Sequence, residues 1–399
     1  MKHPNLMSTL DFNLLGFHGG HGAWLKGYDG KDYLDFFSDV GTASLGYCSE
    51  EQRAVLTRLL DPHEAIPLHQ PNLFASMERD SAAGRLCQAT GMERVFFCNS
   101  GTEAVEAALK VARLTQAKRY GTLCRVSIEP KRSLIASYVG GFHGRTYGGL
   151  SAGDGPAYHT WGYGPLLDGF RHFSDISEIP KDAAAVILAP VFGNNDVRVY
   201  PDGWLEQLRK HCDDNGIILI FDEVQTGSGR CGTTFTYAQN IGVQPDVITL
   251  AKGLGMGVPV GAMLARGDCA EAFTPGTHFS TFGGSPMCCA FVNGMLDWAT
   301  AQQLKLVALK GRSIRTILKQ LSFVQNVRGV GMLNAFDVDF CTRRYAEACF
   351  QHGILIGAFR SGPGPIKITP PLNIDMEDIF LGIQGMNDAY NDMRKAERA

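Results

Sequence analysis

Two apolar, β-branched runs lie inside the stretch from Gly216 to Lys252, GIILIFDEVQTGSGRCGTTFTYAQNIGVQPDVITLAK, and each leads into an ionisable side chain. Ile217 to Phe221 delivers Asp222, and Val247 to Leu250 runs on to Lys252. Short uninterrupted apolar runs bounded by turn residues read as buried strands. In an open α/β sheet ligands bind beyond the carboxyl ends of the strands, so this pattern brings an acid and a lysine over one ligand. Taken singly, Asp222 has an ordinary reading as a helix cap or salt-bridge partner, and Lys252 as a solvated surface charge. Together they suit a ligand with a cationic ring nitrogen and an aldehyde, because a carboxylate keeps such a ring protonated and a lysine holds the aldehyde as a Schiff base. Pyridoxal phosphate is a cofactor of that kind. The GLGMG after Lys252 mimics a dinucleotide-binding pattern, but Val258 stands where the G-x-G-x-x-G spacing needs its third glycine, and Pro259 follows.

A chain of 399 residues exceeds the usual size of one core, so two domains are expected. Hydrophobic content of 45% with 19% charged residues is that of an ordinary globular protein, and a net charge of −3 gives no reason to expect nucleic acid or an anionic membrane as partner. There is no apolar run on the order of 18 residues and no targeting peptide, so a cytoplasmic location is expected. The 11 cysteines include the adjacent pair Cys288 and Cys289 and lack metal-ligand spacing, which fits reduced thiols and no metal.

Along the chain, an irregular arm leads into a short hairpin, Ala23 to Leu25 and Lys31 to Phe36, about the turn Tyr28-Asp29-Gly30-Lys31. Phe36 to Leu45, with Val40, Gly41 and Ser44, has no clear periodicity and suits a pocket lining or plain loop packing. Helices are expected over Glu50 to Leu60 and Phe74 to Cys87. Val95 to Cys98 then reads as a strand, Asn99 to Thr102 as a turn, and Glu103 to Leu114 as a helix with the small stripe Ala104, Ala107, Ala108, Val111 and Ala112. Such a unit offers the free N–H groups of the first helical turn, beside the Ser100 and Thr102 hydroxyls, to a phosphate. A serine or threonine there is also a common N-cap.

Ser133 to Tyr138 is a further strand, running into GGFHGRTYGG. Phe142 suits stacking on a flat ring and Arg145 suits a carboxylate, whereas a lone histidine such as His143 is more often structural than catalytic. Ala184 to Ala189 and Val260 to Arg266 are two more strands, and Leu205 to Asp214 is a helix. The alternation from Val95 to Leu264 is that of a mostly parallel α/β sheet with helices on both faces. Beyond THFSTFGGSPMCCA, where Ser280 and Thr281 precede a Gly-Gly turn and Pro286 opens a helical pattern, elements mix: helices at Leu304 to Leu321 and Thr342 to Gln351, strands around Val327 to Asp337 and Ile354 to Ile356, and a last helix from Met376. The expected division is 1–50 as an N-terminal arm and part of a small domain, 51–289 as a large cofactor-binding domain, and 290–399 as the remainder of the small α+β domain.

Four separated stretches, NSGTEAVEAALKVAR, GFHGRT, IFDEVQTGSGR with the TLAKGLG lysine, and STFGGSP, resemble the class III pyridoxal-phosphate aminotransferases of the ornithine, acetylornithine and 4-aminobutyrate type. The resemblance runs from about Gly22 to Leu372. It implies a fold type I enzyme, usually a homodimer with its active sites at the subunit interface. By resemblance, Ser100, Gly101 and Thr102 would hold the cofactor phosphate, Phe142 would stack on the ring, Asp222 would pair with its nitrogen, and Gln225 would contact its hydroxyl oxygen. Lys252 would form the Schiff base and carry the proton between substrate and cofactor, Thr281 would reach the phosphate of the neighbouring subunit, and Glu223 would order the site around His143 or the aspartate. Arg145 matches a substrate-carboxylate arginine.

Two departures from the family bear on substrate. Where the family usually has E-P-x-x-G-E-G-G this chain has APVFGNND, so Asn194 replaces a glutamate; where it usually has an arginine before A-P-P-L this chain has KITPPL, so the position is Lys367. In the ornithine-type enzymes those two form a gated pair that admits first an amine and then a dicarboxylate. Asn194 cannot mask a cation, and Lys367 offers a point charge instead of a fork. A shifted donor or acceptor preference is expected, with Arg145 and Lys367 serving a carboxylate. Val40 stands where ornithine aminotransferases carry a tyrosine, which resembles the acetylornithine or 4-aminobutyrate branch. The leading expectation is ping-pong transfer of a terminal amino group from an acetylornithine-like donor to a 2-oxo acid such as 2-oxoglutarate. The alternatives are an aminomutase or racemase of the same fold and a catalytically silent homologue acting as a partner protein.

Overall fold

A computed structural model of the chain describes residues 16–64, 66–123, 128–129, 131–192, 196–358 and 362–397. Among these residues, seven strands form the main sheet, in the edge-to-edge order Arg94–Cys98, Gly261–Ala265, Val247–Leu250, Ile218–Asp222, Ala185–Leu188, Ile135–Tyr138 and Phe170–Phe173. Neighbours from Val247–Leu250 to Phe170–Phe173 run parallel, while Gly261–Ala265 is antiparallel to both of its neighbours. The three strands at the centre are buried at every residue, as parallel strands covered on both faces must be. Register decides the rest. Asp222 lies opposite Thr249 in the parallel pair, so the acid and the segment leading to Lys252 leave the sheet side by side.

The helix Gly101–Tyr120 lies on this sheet through Ala104, Ala107, Ala108, Val111 and Ala112, all fully buried. Small side chains let its axis approach the strands closely, and the helix runs further in both directions than the Glu103 to Leu114 expected. The helix expected from Phe74 begins instead at Met77, because the Ser76 hydroxyl accepts from Arg79 N–H and caps it; Phe74 is left exposed. Two elements of the main sheet region were not expected. Phe170–Phe173 has polar and exposed central residues, as an edge strand allows, and a short helix Tyr147–Ala152 ends the glycine-rich segment.

The strands Phe17–His21, Trp24–Gly27 and Asp32–Asp35 form an antiparallel meander that pairs, in parallel, with Ile354–Leu355 from the far end of the sequence. A second small sheet joins Gln325–Val330, Leu333–Val338 and Gly364–Ile368, the last of which carries Lys367 and was not expected as a strand. The closing helix is Met376–Ala396. Among the described residues no helix is long and apolar enough to cross a membrane.

Candidate active site

Asp222 ends its strand 5% exposed, and each of its carboxylate oxygens is held. Oδ1 accepts from Thr249 Oγ1 at 2.9 Å and from Val224 N–H at 3.1 Å, and Oδ2 lies 2.7 Å from His143 Nδ1. A carboxylate only accepts, so Nδ1 carries the proton, and the buried Nε2 is left with no partner among the described residues. His143 thus serves the aspartate. Thr249 is a third member of this group that sequence reading passed over, although its place opposite Asp222 follows from parallel register.

Lys252 opens a tight turn, Lys252–Gly255, with φ +49°, a left-handed conformation that costs a non-glycine residue about 1–3 kcal/mol and is held only where the surroundings fix it. Burial pushes its ammonium from 10.5 down to about 8; Asp222 and Asp39 oppose the shift, and Arg230 adds to it. An amine so displaced is a usable nucleophile and base near neutral pH.

On the other side of Asp222, the helix Gly101–Tyr120 begins at the turn expected to hold a phosphate. The Ser100 hydroxyl accepts from Glu103 N–H at 3.3 Å and is therefore the N-cap, and Thr102 Oγ1 lies 2.8 Å from Thr146 Oγ1. The N–H groups of Gly101 and Thr102 have no helical acceptor. A Cβ at Gly101 would stand 2.8 Å from one γ-carbon of Val224, two residues after Asp222, and 3.4 Å from Cβ of Ala251, next to Lys252. The helix start, the acid and the lysine therefore meet. Only a glycine fits between them.

Phe142 is 38% exposed, with the Arg145 guanidinium 5.6 Å from its ring centre and His159 edge-on at 5.8 Å. Gln225 donates to the Val40 carbonyl at 3.3 Å. Val40 sits in a run of positive φ from Ser38 to Gly41, and its own +59° is a strained value for a β-branched residue. Lys367 is 2% exposed, and burial first, then Lys252 and Arg230, disfavour its charge. Arg230, another residue unremarked in the sequence, is 4% exposed; its Nη1 donates to Pro370 O, and its Nη2 is buried with no acceptor among the described residues.

Thr281 is exposed, in a loop held from beneath. Asn72 Nδ2 lies 2.9 to 3.0 Å from the carbonyls of Ser280, Thr281 and Gly283, and Ser280 Oγ accepts from Asn99 Nδ2 at 3.2 Å. Glu223 corrects the expectation made for it. Its carboxylate accepts from Tyr237 N–H, Ala238 N–H and Thr226 Oγ1 at 2.6, 2.8 and 3.0 Å, so it binds the start of the helix Tyr237–Ile241 and orders neither His143 nor Asp222. Burial pushes it up to about 7 against the pull of those donors. Asn194 lies outside the described residues. Among those described, no group of three or more His, Cys, Asp or Glu is placed to hold a metal ion.

The protein-family model for aminotransferase class-III matches residues 11–390. The chain belongs to the class-III aminotransferases. This aminotransferase is 37% identical over 397 residues to the acetylornithine aminotransferase of Methanopyrus kandleri, covering 97% of this chain and 96% of that one. It is also 37% identical over 379 residues to the acetylornithine aminotransferase of Aquifex aeolicus, covering 93% and 96%. Among solved structures, the ornithine aminotransferase from Toxoplasma gondii ME49 matches with a TM-score of 0.88 at 25% identity, over 98% of this chain and 94% of that one. A thermostable (S)-enantioselective omega-transaminase from Thermomicrobium roseum matches with a TM-score of 0.83 at 27% identity, over 95% and 92%. The aminotransferase is accordingly a pyridoxal-phosphate enzyme of fold type I that moves an amino group from an amine donor to a 2-oxo acid.

Its residues fit that cofactor. A buried carboxylate with both oxygens fixed suits a cationic ring nitrogen, a helix start where Gly101 and Thr102 N–H have no helical acceptor suits a phosphate, and a lysine lowered to about 8 suits an aldehyde.

Proposed function

We propose that this aminotransferase takes the terminal amino group of an acetylornithine-like donor and passes it to a 2-oxo dicarboxylate such as 2-oxoglutarate. The observation that carries the donor class is the 37% identity to acetylornithine aminotransferases across almost the whole chain. Ser100, Gly101 and Thr102 would hold the phosphate of pyridoxal phosphate, Phe142 would cover the ring, Asp222 would face the ring nitrogen, Gln225 the ring oxygen, and Lys252 the aldehyde. Bound there, the cofactor supplies a carbonyl that accepts the amino group and a cationic ring that delocalises charge. Asp222 is held in one orientation because His143, Thr249 and Val224 engage both of its oxygens. Lys252, as a neutral amine, takes the proton from the substrate carbon and returns one to the cofactor side.

The substrate end is read from cations. Arg145 and Lys367 are the proposed carboxylate contacts, and Val40 and, by its place in the sequence, Asn194 are proposed to bear on substrate choice. We further propose a homodimer in which Thr281 reaches the partner's phosphate. The exposed Leu73, Phe74, Met77, Phe279 and Phe282, at 61% to 91%, flank the Asn72 and Thr281 loops and supply an apolar face for a second copy. A division into 1–50 with 290–399 and 51–289, and a cytoplasmic location, complete the proposal.

The test is a panel of N-acetylornithine, ornithine, 4-aminobutyrate and α-amino acids, scored by conversion of the holoenzyme to its pyridoxamine form. N-acetylornithine is expected to react fastest. A faster reaction with 4-aminobutyrate or an α-amino acid overturns the donor assignment. An unchanged 2-oxoglutarate half-reaction in Lys367→Ala overturns the role given to Lys367.

A further inference from the structure

Arg230 joins three parts of the chain. It lies in the loop after the Asp222 strand, and its carbonyl accepts from Met332 N–H at 2.9 Å. Its Nη1 donates to Pro370 O and, at 3.5 Å, to Met332 O. Those contacts occupy one side of the guanidinium. The other edge, Nε and Nη2, faces Gly41. A Cβ built on Gly41 would stand 3.8 Å from both nitrogens, and outside the chain neighbours no other heavy atom of the described residues lies within 4 Å of that point. Arg230 is 4% exposed and Gly41 is buried, so this opening is internal. Nη2 has no partner among the described residues. Burial pushes the guanidinium from 12.5 down to about 10, against Cys231 and Asp35, which leaves it charged near neutral pH.

Backbone conformation keeps the opening. Ser38, Asp39, Val40 and Gly41 have φ of +48°, +46°, +59° and +90°. Three successive non-glycine residues in the left-handed region are a strain that persists only where the surroundings impose it, and such strain gathers at ligand clamps. Here Asp35 imposes it, accepting from Phe37 N–H and Ser38 N–H at 2.8 Å and from Tyr47 Oη at 2.6 Å. Its oxygens are thus engaged away from Arg230. The same segment roofs the candidate active site: Val40 O accepts from Gln225 Nε2 at 3.3 Å, and Ser44 Oγ donates at 2.9 Å to the carbonyl of Gly253, next to Lys252. Ser38 Oγ and Ser228 Oγ, one on each of the two segments that meet here, are also buried with no partner among the described residues.

A buried cation with one edge unpaired is costly to the fold, and the edge left free is a planar fork that matches the two oxygens of a carboxylate. Stapling the loop to Pro370 and Met332 needs only Nη1.

We propose that Arg230 is a carboxylate-binding residue of this aminotransferase, whose Nε and Nη2 take one carboxylate of the dicarboxylic 2-oxo acid across the opening at Gly41 while Arg145 takes the other. This rests on the reading of the acceptor as a dicarboxylate. Arg230 lies close enough to Lys367 for the two charges to interact, so both serve the same end of the substrate. Lys367 supplies a point charge there, and Arg230 supplies the fork that fixes orientation. Preference for two carboxylates over one is then set by Arg230 and by the lack of a side chain at position 41.

The experiment titrates holoenzyme by calorimetry with glutarate, an unreactive dicarboxylate, and with butyrate, the same chain with one carboxylate fewer. Wild type, Arg230→Lys and Gly41→Ala are compared, with thermal unfolding as the check on folding. Arg230→Lys keeps the charge and loses the fork; Gly41→Ala leaves the Nη1 contacts and puts a methyl group into the opening. Wild-type enzyme is expected to bind glutarate at least about tenfold more tightly than butyrate, and each variant to reduce that ratio to about threefold or less. A merely structural role would weaken both ligands alike and leave the ratio in place. A ratio retained in either variant overturns the assignment of Arg230 while the dicarboxylate reading stands; a wild-type ratio near one overturns that reading and the inference with it. Crystals of the wild-type glutarate complex give a check that needs no variant. Carboxylate oxygens are expected at about 3 Å from Nε and Nη2, and a water molecule in that place, with both carboxylates bound elsewhere, overturns the inference.

Discussion

Capture of the cofactor by apoenzyme should accelerate with pH until Lys252 is discharged, and then level. Its ammonium lies at about 8 where an ordinary lysine lies at 10.5. At pH 7 a group at 8 is about 9% neutral and one at 10.5 about 0.03%, so the fold raises the nucleophilic fraction on the order of 100- to 1,000-fold. The sign is fixed by the causes. Desolvation and Arg230 disfavour the charge, while Asp222 and Asp39 favour it. Asp222→Asn removes a group that supports the ammonium and should move the midpoint below 8. The assay mixes apoenzyme with pyridoxal phosphate across about pH 6 to 9.5 and follows the absorbance that grows near about 420 nm; butylamine measured in parallel corrects for the ionisations of the cofactor. The wild-type rate constant should rise about tenfold per pH unit and turn over near 8. A rate still rising tenfold per pH unit at about pH 9.5, or a midpoint that Asp222→Asn moves upward, refutes the argument that burial sets the reactivity of this lysine.

Two further outcomes test the frame around it. Gly101→Ala puts a methyl group 2.8 and 3.0 Å from the γ-carbons of Val224, a side chain stiff at χ1, at a cost of about 1–3 kcal/mol. Equilibrium titration should show pyridoxal phosphate bound about 5- to 150-fold more weakly, with most of the loss recovered in Gly101→Ala/Val224→Ala, and unaltered affinity would show that the helix start does not touch the cofactor. Asn72→Ala frees the carbonyls of Ser280, Thr281 and Gly283, a loss of about 1–3 kcal/mol of hydrogen bonding, and should weaken the proposed dimer as measured by sedimentation; an unchanged dissociation constant removes that loop from the proposed interface.

Much of this was readable before any coordinates. The runs ending in Asp222 and leading to Lys252 are short, β-branched and bounded by turn residues, which favours buried strands over helix, so the sheet and the edge that carries the candidate site were legible together. The helix after Asn99 was legible from its alanine stripe. The strand Gly364–Ile368 was not, because its GPIKI carries a proline and a lysine and owes its strand geometry to Leu333–Val338 beside it. Glu223 was misread for a related reason: it follows Asp222 in sequence, but its carboxylate turns toward the Tyr237–Ile241 helix.

The sequence by itself determined which residue types stand at the ends of which strands, since periodicity and motif spacing are local properties. Only the tertiary structure decided that His143 serves Asp222, that Arg230 and Lys252 crowd Lys367, and that Gly101 leaves no room for a methyl group. Those are contacts between residues dozens to hundreds of positions apart, and they exist because parallel register and close packing bring distant backbones within a few ångströms.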